Sequence, residues 1–264
     1  MTMYNIKEKF GSTALITGAS SGIGKAYAEA LADEGVNLII VARRENVLNE
    51  IAEDLRSRYN IQIQVIAQDL VSHDAAEILF NRADSEVDIL VNNAGYGSYG
   101  RFDSLEITSE TDMVDLNCRQ VVSLTHRFLP AMKNNKRGAI ICLSSVVGTM
   151  PTPYMATYSA TKAFNRYFAE SLSGELRSQG ISVQAVCPGD TLSDFRSSAS
   201  FDKKMPISQR TPQDVVRSSL STLGGRATVT DGIINKIATK QPRFIPTRWL
   251  IAINEMIWRP KGTE

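Results

Sequence analysis

Short apolar runs alternate with longer amphipathic ones along most of the chain, and this alternation sets the expected elements. "TALIT" (13–17), "NLIIVA" (37–42), "IQIQVIA" (61–67), "VDILVN" (87–92), "GAIICLS" (138–144) and "ISVQAVC" (181–187) are mostly apolar rather than alternating. That is the pattern of strands buried on both faces of a parallel sheet. Helical stretches are expected between them over 22–34, 45–58, 73–83, 108–134 and 157–179. Parallel strands need helical crossovers, which are right-handed, so the fold class is α/β, a doubly wound parallel sheet with helices on both faces. No linker or repeat divides the chain, and residues 1–264 read as a single domain.

The pattern changes after Cys187. "PGDTLSDFRSSASFDKKMPISQR" (188–210) is polar with scattered aromatics and follows the carboxyl end of a strand, where ligands bind in such sheets. Residues 188–225 are therefore expected to cover a substrate. Helices are expected near 212–223 and 228–240, and 226–264 reads as a C-terminal extension. Within it Trp249, Leu250, Ile253 and Ile257 fall at helical spacing, flanked by Arg248, Arg259 and Lys261. Such a segment packs on its own domain or on a second subunit; contact with a membrane surface is the sharper alternative.

Charge and composition narrow the partners. With 29 basic and 28 acidic residues, net charge +1, there is no footprint for nucleic acid. Cys118, Cys142 and Cys187 are far apart in apolar runs and read as buried thiols of a reducing compartment. The N-terminal "MTMYNIKEKFG" lacks a signal-like apolar stretch, and no apolar run approaches membrane-span length, so a cytoplasmic location is expected. His73 and His126 stand apart with no metal-ligand spacing.

"TGASSGIG" (17–24) lies directly between the first strand and the first long helix. Gly18, Gly22 and Gly24 allow a sharp turn and close backbone approach. With Ser20, Ser21 and Ile23 they form the expected cradle for a pyrophosphate at a helix N-terminus, the mark of a Rossmann-type nucleotide site. At the end of the second strand "VARRE" places Ala42, Arg43 and Arg44 where an acidic residue would favour NAD. Arginine suits a 2′-phosphate, so NADP(H) is expected ahead of NAD(H), with Glu45 as the countervailing charge.

"PYMATYSATKAF" (153–164) puts Tyr158 four residues before Lys162, about 40° apart on one helix face. Ala160, Ala163, Phe164 and Tyr167 form an apolar stripe almost opposite, and periodicity alone would send Tyr158 and Lys162 to solvent.

The ordered set "TGASSGIG", "NNAG", "LSS", "YSATK" and "PG", from about residue 12 to 195, resembles the classical short-chain dehydrogenases/reductases, most closely a bacterial branch of general short-chain dehydrogenases. The resemblance implies a catalytic set of Asn117, Ser145, Tyr158 and Lys162. It implies nucleotide contacts from Asp69 and Leu70, from Asn92, Ala94 and Gly95, from Pro188, Gly189 and Thr191, and from Tyr158 and Lys162. Asp190 has no counterpart in that pattern, and Ser193 replaces a more usual threonine. In the family the stripe-bearing helices pair across a dimer interface, so a homodimer or homotetramer is expected.

The chemistry explains those residue types. Reducing a carbonyl needs hydride at carbon and a proton at oxygen. A tyrosine titrates near about 10 and needs a neighbouring positive charge to exchange its proton at neutral pH. Lys162 would supply that charge, Ser145 would hold the substrate oxygen, and Asn117 would hold a water linking Lys162 to solvent. The expected activity is NADPH-dependent interconversion of a carbonyl and an alcohol on an apolar small molecule. Reduction of acyl-chain ketones is a second enzyme reading, and a non-catalytic nucleotide-binding regulator is the rival from another class. Tyr96, Tyr99, Tyr154 and Met155 flank the expected substrate mouth.

Overall fold

Alternate strand residues go to two separate cores. In the computed structural model, residues 3–192, 209–239 and 245–260 are described, and among them seven strands form one parallel sheet. They are β1 (Thr13–Thr17), β2 (Asn37–Ala42), β3 (Ile63–Ala67), β4 (Ile89–Asn92), β5 (Gly138–Leu143), β6 (Ile181–Cys187) and β7 (Thr228–Thr230). Ala14, Ile16, Leu38, Ile40, Ile89 and Val91 join one core, while Leu15, Ile39, Val41, Leu90 and Ile140 join the other. Period-2 side-chain placement makes a strand apolar throughout when both faces are covered.

Among the described residues the α-helices are α1 (Ile6–Phe10), α2 (Gly22–Asp33), α3 (Glu45–Arg58), α4 (Ala75–Arg82), α5 (Ile107–Val114), α6 (Gln120–Asn135), α7 (Ala156–Leu176), α8 (Pro212–Leu220), α9 (Ile233–Ala238) and α10 (Thr247–Trp258). Buried side chains of α1, α2, α3 and α8 fill the first core, and those of α4, α6 and α7 fill the second. The strand order β3-β2-β1-β4-β5-β6-β7 reverses direction between β1 and β4. A doubly wound sheet opens its ligand crevice there, at the carboxyl ends of the strands.

Four elements differ from expectation. The helix expected over 228–240 begins instead with β7, whose "TVT" pairs with β6 in the register Ala185↔Thr228, Val186↔Val229 and Cys187↔Thr230, and only then becomes α9. Three residues are too few for a period to register, although β-branched composition favours a strand. The single helix expected over 108–134 is interrupted by a π-helical turn, Asp115–Arg119, between α5 and α6. The short α1 was not expected; its lead-in is held by the buried Glu34 carboxylate, which accepts from the backbone N–H groups of Tyr4 (2.7 Å) and Ile6 (3.1 Å).

The fourth difference is in the C-terminal extension. The face of α10 turned inward carries Leu250, Asn254 and Trp258, whereas Trp249, Ile253 and Ile257 of the apolar stripe stay exposed. Polar anchors account for the rotation, because the Asn254 amide donates to the Pro151 carbonyl at 3.1 Å and the Tyr99 hydroxyl donates to the Trp258 carbonyl at 2.6 Å. The tail thus packs on its own domain. No helix among the described residues is long and apolar enough to cross a membrane. All three cysteines are free thiols.

Candidate active site

The crevice is a cleft of about 750 Å³ running from the β1–α2 turn to α7 and α10. At its nucleotide end Gly18 (φ 67°) and Gly22 (φ 54°) take left-handed backbone conformations that glycine tolerates best. Gly24 faces inward and does not line the cleft: a Cβ there would lie 2.3 Å from the Gly18 carbonyl oxygen and 2.5 Å from the Asn93 amide. Its absence of a side chain lets α2 close onto the turn. Overpacking of this kind costs about 1–3 kcal/mol, and its relief would displace the turn that faces the nucleotide, so Gly24→Ala is expected to weaken nucleotide binding roughly 5- to 150-fold, measurable by fluorescence titration. Unchanged affinity would show that the turn's shape is immaterial.

Thr17 and Asn93 fasten this turn to the end of β4. The Thr17 hydroxyl accepts from the backbone N–H groups of Asn93 and Ala94, both at 3.0 Å, and donates to the Val91 carbonyl at 3.2 Å. The Asn93 amide donates to the carbonyls of Thr17 (2.8 Å) and Gly18 (3.2 Å). Asn92, expected at the nucleotide, instead points behind the sheet, its amide donating to Thr125 Oγ1 at 3.1 Å. Adjacent strand residues face opposite sides, and it is Asn93 that lines the cleft.

Ser20, Ser21, Ile23, Arg43, Arg44, Asp69, Leu70, Ala94 and Gly95 line the same end. Arg43 and Arg44 are exposed beyond Ala42, and Arg44 Nη2 donates to Ser20 Oγ at 3.1 Å, tying the second strand's end to the glycine turn. Pro188, Gly189 and Thr191 border the cleft after β6, whose end is joined to the Ser145 turn by the Val146 N–H donating to the Pro188 carbonyl at 3.0 Å. Asp190 has a structural assignment: its carboxylate accepts from Gln209 Nε2 at 3.2 Å and its carbonyl from the Arg210 N–H at 3.0 Å. Arg210 in turn pairs with the buried Asp231 carboxylate at 2.7 Å. These contacts join the two stems of the expected covering segment, of which 193–208, including Ser193, lie outside the described residues.

The other end gathers Ser145, Tyr158 and Lys162. Tyr158 and Lys162 are only 9% and 5% exposed, whereas Phe164 and Tyr167 of the apolar stripe are 39% and 64% exposed, so α7 is turned opposite to what its periodicity implies. Gly148 permits the close packing on this side of the helix. A Cβ there would lie 2.6 Å from the Lys162 carbonyl carbon, so the turn after Ser145 rests directly on the α7 backbone.

The Lys162 ammonium donates to the Leu143 carbonyl at the end of β5, 2.9 Å away, and lies 5.7 Å from the centre of the Tyr158 ring. Burial pushes the Lys162 amine down to about 8. Burial also pushes the Tyr158 phenol up to about 12, with the hydrogen bond to Ser145 pulling the other way. Desolvation disfavours both charged forms, and the bond to Ser145 offsets the burial of the phenol only in part.

Asn117 sits in the π-helical turn, fully buried behind the cleft. Its amide nitrogen donates to the Tyr96 carbonyl (2.9 Å) and Thr161 Oγ1 (3.0 Å), while its oxygen accepts from the Tyr96 N–H (3.3 Å). The side chain is thereby committed to binding the 94–97 loop to α7, and any water relay at this position would have to use the backbone of the widened turn.

These parts match a known arrangement. A family model for short chain dehydrogenases matches residues 12–204. The chain belongs to the short-chain dehydrogenase family. It is accordingly an oxidoreductase of the CH–OH/C=O class. Among relatives of this short-chain dehydrogenase, the very-long-chain 3-oxoacyl-CoA reductase of Anas platyrhynchos is 34% identical over 225 residues, covering 81% of this chain and 69% of that one. The inactive hydroxysteroid dehydrogenase-like protein 1 of Homo sapiens is 33% identical over 223 residues, covering 82% and 67%. Among solved structures, a 7β-hydroxysteroid dehydrogenase superposes with TM-score 0.86 at 28% identity, over 95% of this chain and 99% of that one. A short-chain dehydrogenase from Sphingobium yanoikuyae in complex with NADPH gives 0.78 at 28% identity, over 96% and 98%.

Proposed function

We propose that this protein is an NADPH-dependent carbonyl reductase, equivalently an alcohol dehydrogenase in reverse, acting on an apolar ketone, aldehyde or secondary alcohol. The observation that carries the reading is the convergence of Ser145, Tyr158 and Lys162 at one end of a cleft whose other end is the glycine turn with Arg43 and Arg44.

The residues fit the nucleotide. The turn has the close backbone approach a pyrophosphate needs, and α2 opens directly from it. Gly18, Ser20, Ser21, Gly22 and Ile23 would hold the phosphates, Arg43 and Arg44 the 2′-phosphate, and Asp69 and Leu70 the adenine side. Lys162 would hold the ribose beside the reacting centre. When bound, the nicotinamide supplies or takes up the hydride and, oxidised, adds a positive charge. Ser145 holds the substrate oxygen, and Tyr158 donates the proton that oxygen gains on reduction. Lys162, as ammonium, lowers the cost of the phenolate left behind. Val147, Met155, Tyr96 and Trp258 give the substrate end an apolar wall.

NADP is favoured over NAD by the two arginines and by the absence of a carboxylate at Ala42. A charge-assisted hydrogen bond contributes about 1.5–3 kcal/mol. Arg43→Ala is therefore expected to weaken NADPH binding roughly 10- to 100-fold and to leave NADH binding unchanged, read by fluorescence titration. A preference for NADH in the wild type would overturn the NADP reading.

An acyl-chain ketone is a second substrate reading, supported by the resemblance to the 3-oxoacyl-CoA reductase of Anas platyrhynchos. The exposed Phe164 and Tyr167 on α7 support pairing of this helix with a second copy of the chain.

A further inference from the structure

We propose that Trp258, the last residue of α10, is a specificity-determining residue: its indole closes the substrate end of the cleft and limits the bulk a ketone can carry on that side of its carbonyl. The proposal rests on the reductase reading above and adds the feature that selects among carbonyl compounds.

Trp258 is only 7% exposed, lines the cleft, and packs in one small apolar cluster with Met113, Met155 and Tyr158. It is therefore in the same chamber as the proton donor, at the end away from the glycine turn. Its position is fixed by bonds that span the chain. The Tyr99 hydroxyl donates to the Trp258 carbonyl at 2.6 Å, the Tyr154 hydroxyl to Glu255 Oε1 at 2.7 Å, and the Asn254 amide to the Pro151 carbonyl at 3.1 Å. Glu255 is itself held by Arg259, with Nε and Nη2 donating at 2.8 and 2.9 Å.

The two loops that receive the helix are bound to each other, because the Gly100 N–H donates to the Tyr154 carbonyl at 2.9 Å. Tyr154 also sits at φ 64°, a conformation uncommon for a side-chain-bearing residue, and its phenol reaches Glu255 from there. Two tyrosines and an asparagine thus position one indole beside Tyr158. A flat, rigid apolar side chain held by its neighbours is a wall a substrate must fit, since packed interiors yield little to added bulk.

The test is steady-state reduction of a ketone series by NADPH, running from methyl ketones to ketones bulky on both sides, with the wild type, Trp258→Ala and Trp258→Phe. Trp258→Ala is expected to raise kcat/KM for the bulkiest ketones on the order of tenfold while lowering it for methyl ketones through KM, with Trp258→Phe between. Nucleotide affinity, read separately by NADPH titration, is expected to stay unchanged. An unaltered size profile, or an equal loss for every ketone, would overturn the proposal.

Should Trp258→Ala not fold, Trp258→Phe and a binding measurement carry the test. The chain has two tryptophans, so Trp249→Phe leaves Trp258 as the sole indole. Its emission, in the presence of NADP⁺, is expected to change on adding a bulky ketone that the enzyme reduces; no change at saturating ketone would overturn the proposal. If the wild type reduces no ketone yet Trp258 emission responds to ketone binding, the reductase reading fails and the wall stands.

Discussion

Tyr158→Phe is expected to bind NADPH with nearly wild-type affinity and to lose turnover by about 10²–10⁴-fold, the usual worth of a positioned acid. The change removes one oxygen and keeps the ring that packs with Met113, Met155 and Trp258, so the chamber keeps its shape. Ser145 does not take over, because an aliphatic hydroxyl is a far weaker acid than a phenol. Loss of kcat with an unaltered nucleotide titration is the expected pair of observations. A variant that keeps most of its activity would remove Tyr158 from the mechanism.

Lys162→Met is expected to lose turnover to a similar degree and, unlike Tyr158→Phe, to weaken nucleotide binding as well, because the same amine would hold the ribose. It also changes stability with a defined sign. Burial lowers the Lys162 amine from 10.5 to about 8, so the folded state holds this proton less tightly than the unfolded chain does. The wild type then has its full stability from this group above about pH 10.5 and loses it as pH falls through about 8. At about 1.36 kcal/mol per pKa unit, the depression amounts to about 3 kcal/mol.

Methionine fills similar space without a charge but forfeits the bond to the Leu143 carbonyl, a cost that does not depend on pH. The stability of Lys162→Met relative to wild type is therefore expected to be about 3 kcal/mol more favourable at pH 7 than at pH 10.5, by urea denaturation at both. A pH-independent difference would show that the amine is not perturbed by burial. The same depression predicts that wild-type carbonyl reduction declines as pH rises through about 8, when the ammonium is lost.

Much of this was legible in the sequence for a physical reason. Strands covered on both faces must be apolar throughout, so β1, β2 and β6 could be bounded residue for residue. The glycine turn was legible because backbone geometry leaves few alternatives at Gly18 and Gly22. What periodicity misjudged was α7, and for an instructive cause. A helix that carries a buried polar device on one face and an exposed apolar stripe on the other inverts the usual rule, and only the co-occurrence of Ser145, Asn117 and the glycine turn signalled it.

The remaining misses share a cause in side-chain partners that no local pattern encodes. Asn92 and Asn93 are adjacent and identical, and only the strand's facing decides that Asn93 meets the glycine turn. Trp258 belongs to the chamber because Tyr99 and Pro151, more than 100 residues earlier, bind its helix. The Arg210–Asp231 pair likewise joins separate segments. For Trp258 a signal existed in the run "NEMIW", where Asn254 and Trp258 fall on one face with Leu250, but the exposed stripe beside it is the more hydrophobic of the two.

The reaction proposed for this cleft moves a hydride to a carbonyl carbon while Tyr158 delivers the proton. The most direct measurement incubates the wild type with NADPH deuterated at the nicotinamide C4, on either face, and a ketone, then locates the label in the product by mass spectrometry. Deuterium is expected on the carbinol carbon from one face only, with product formation falling by about 10²–10⁴-fold in Tyr158→Phe. Tight NADPH binding with no label in any alcohol would contradict it and leave a nucleotide-binding protein without turnover.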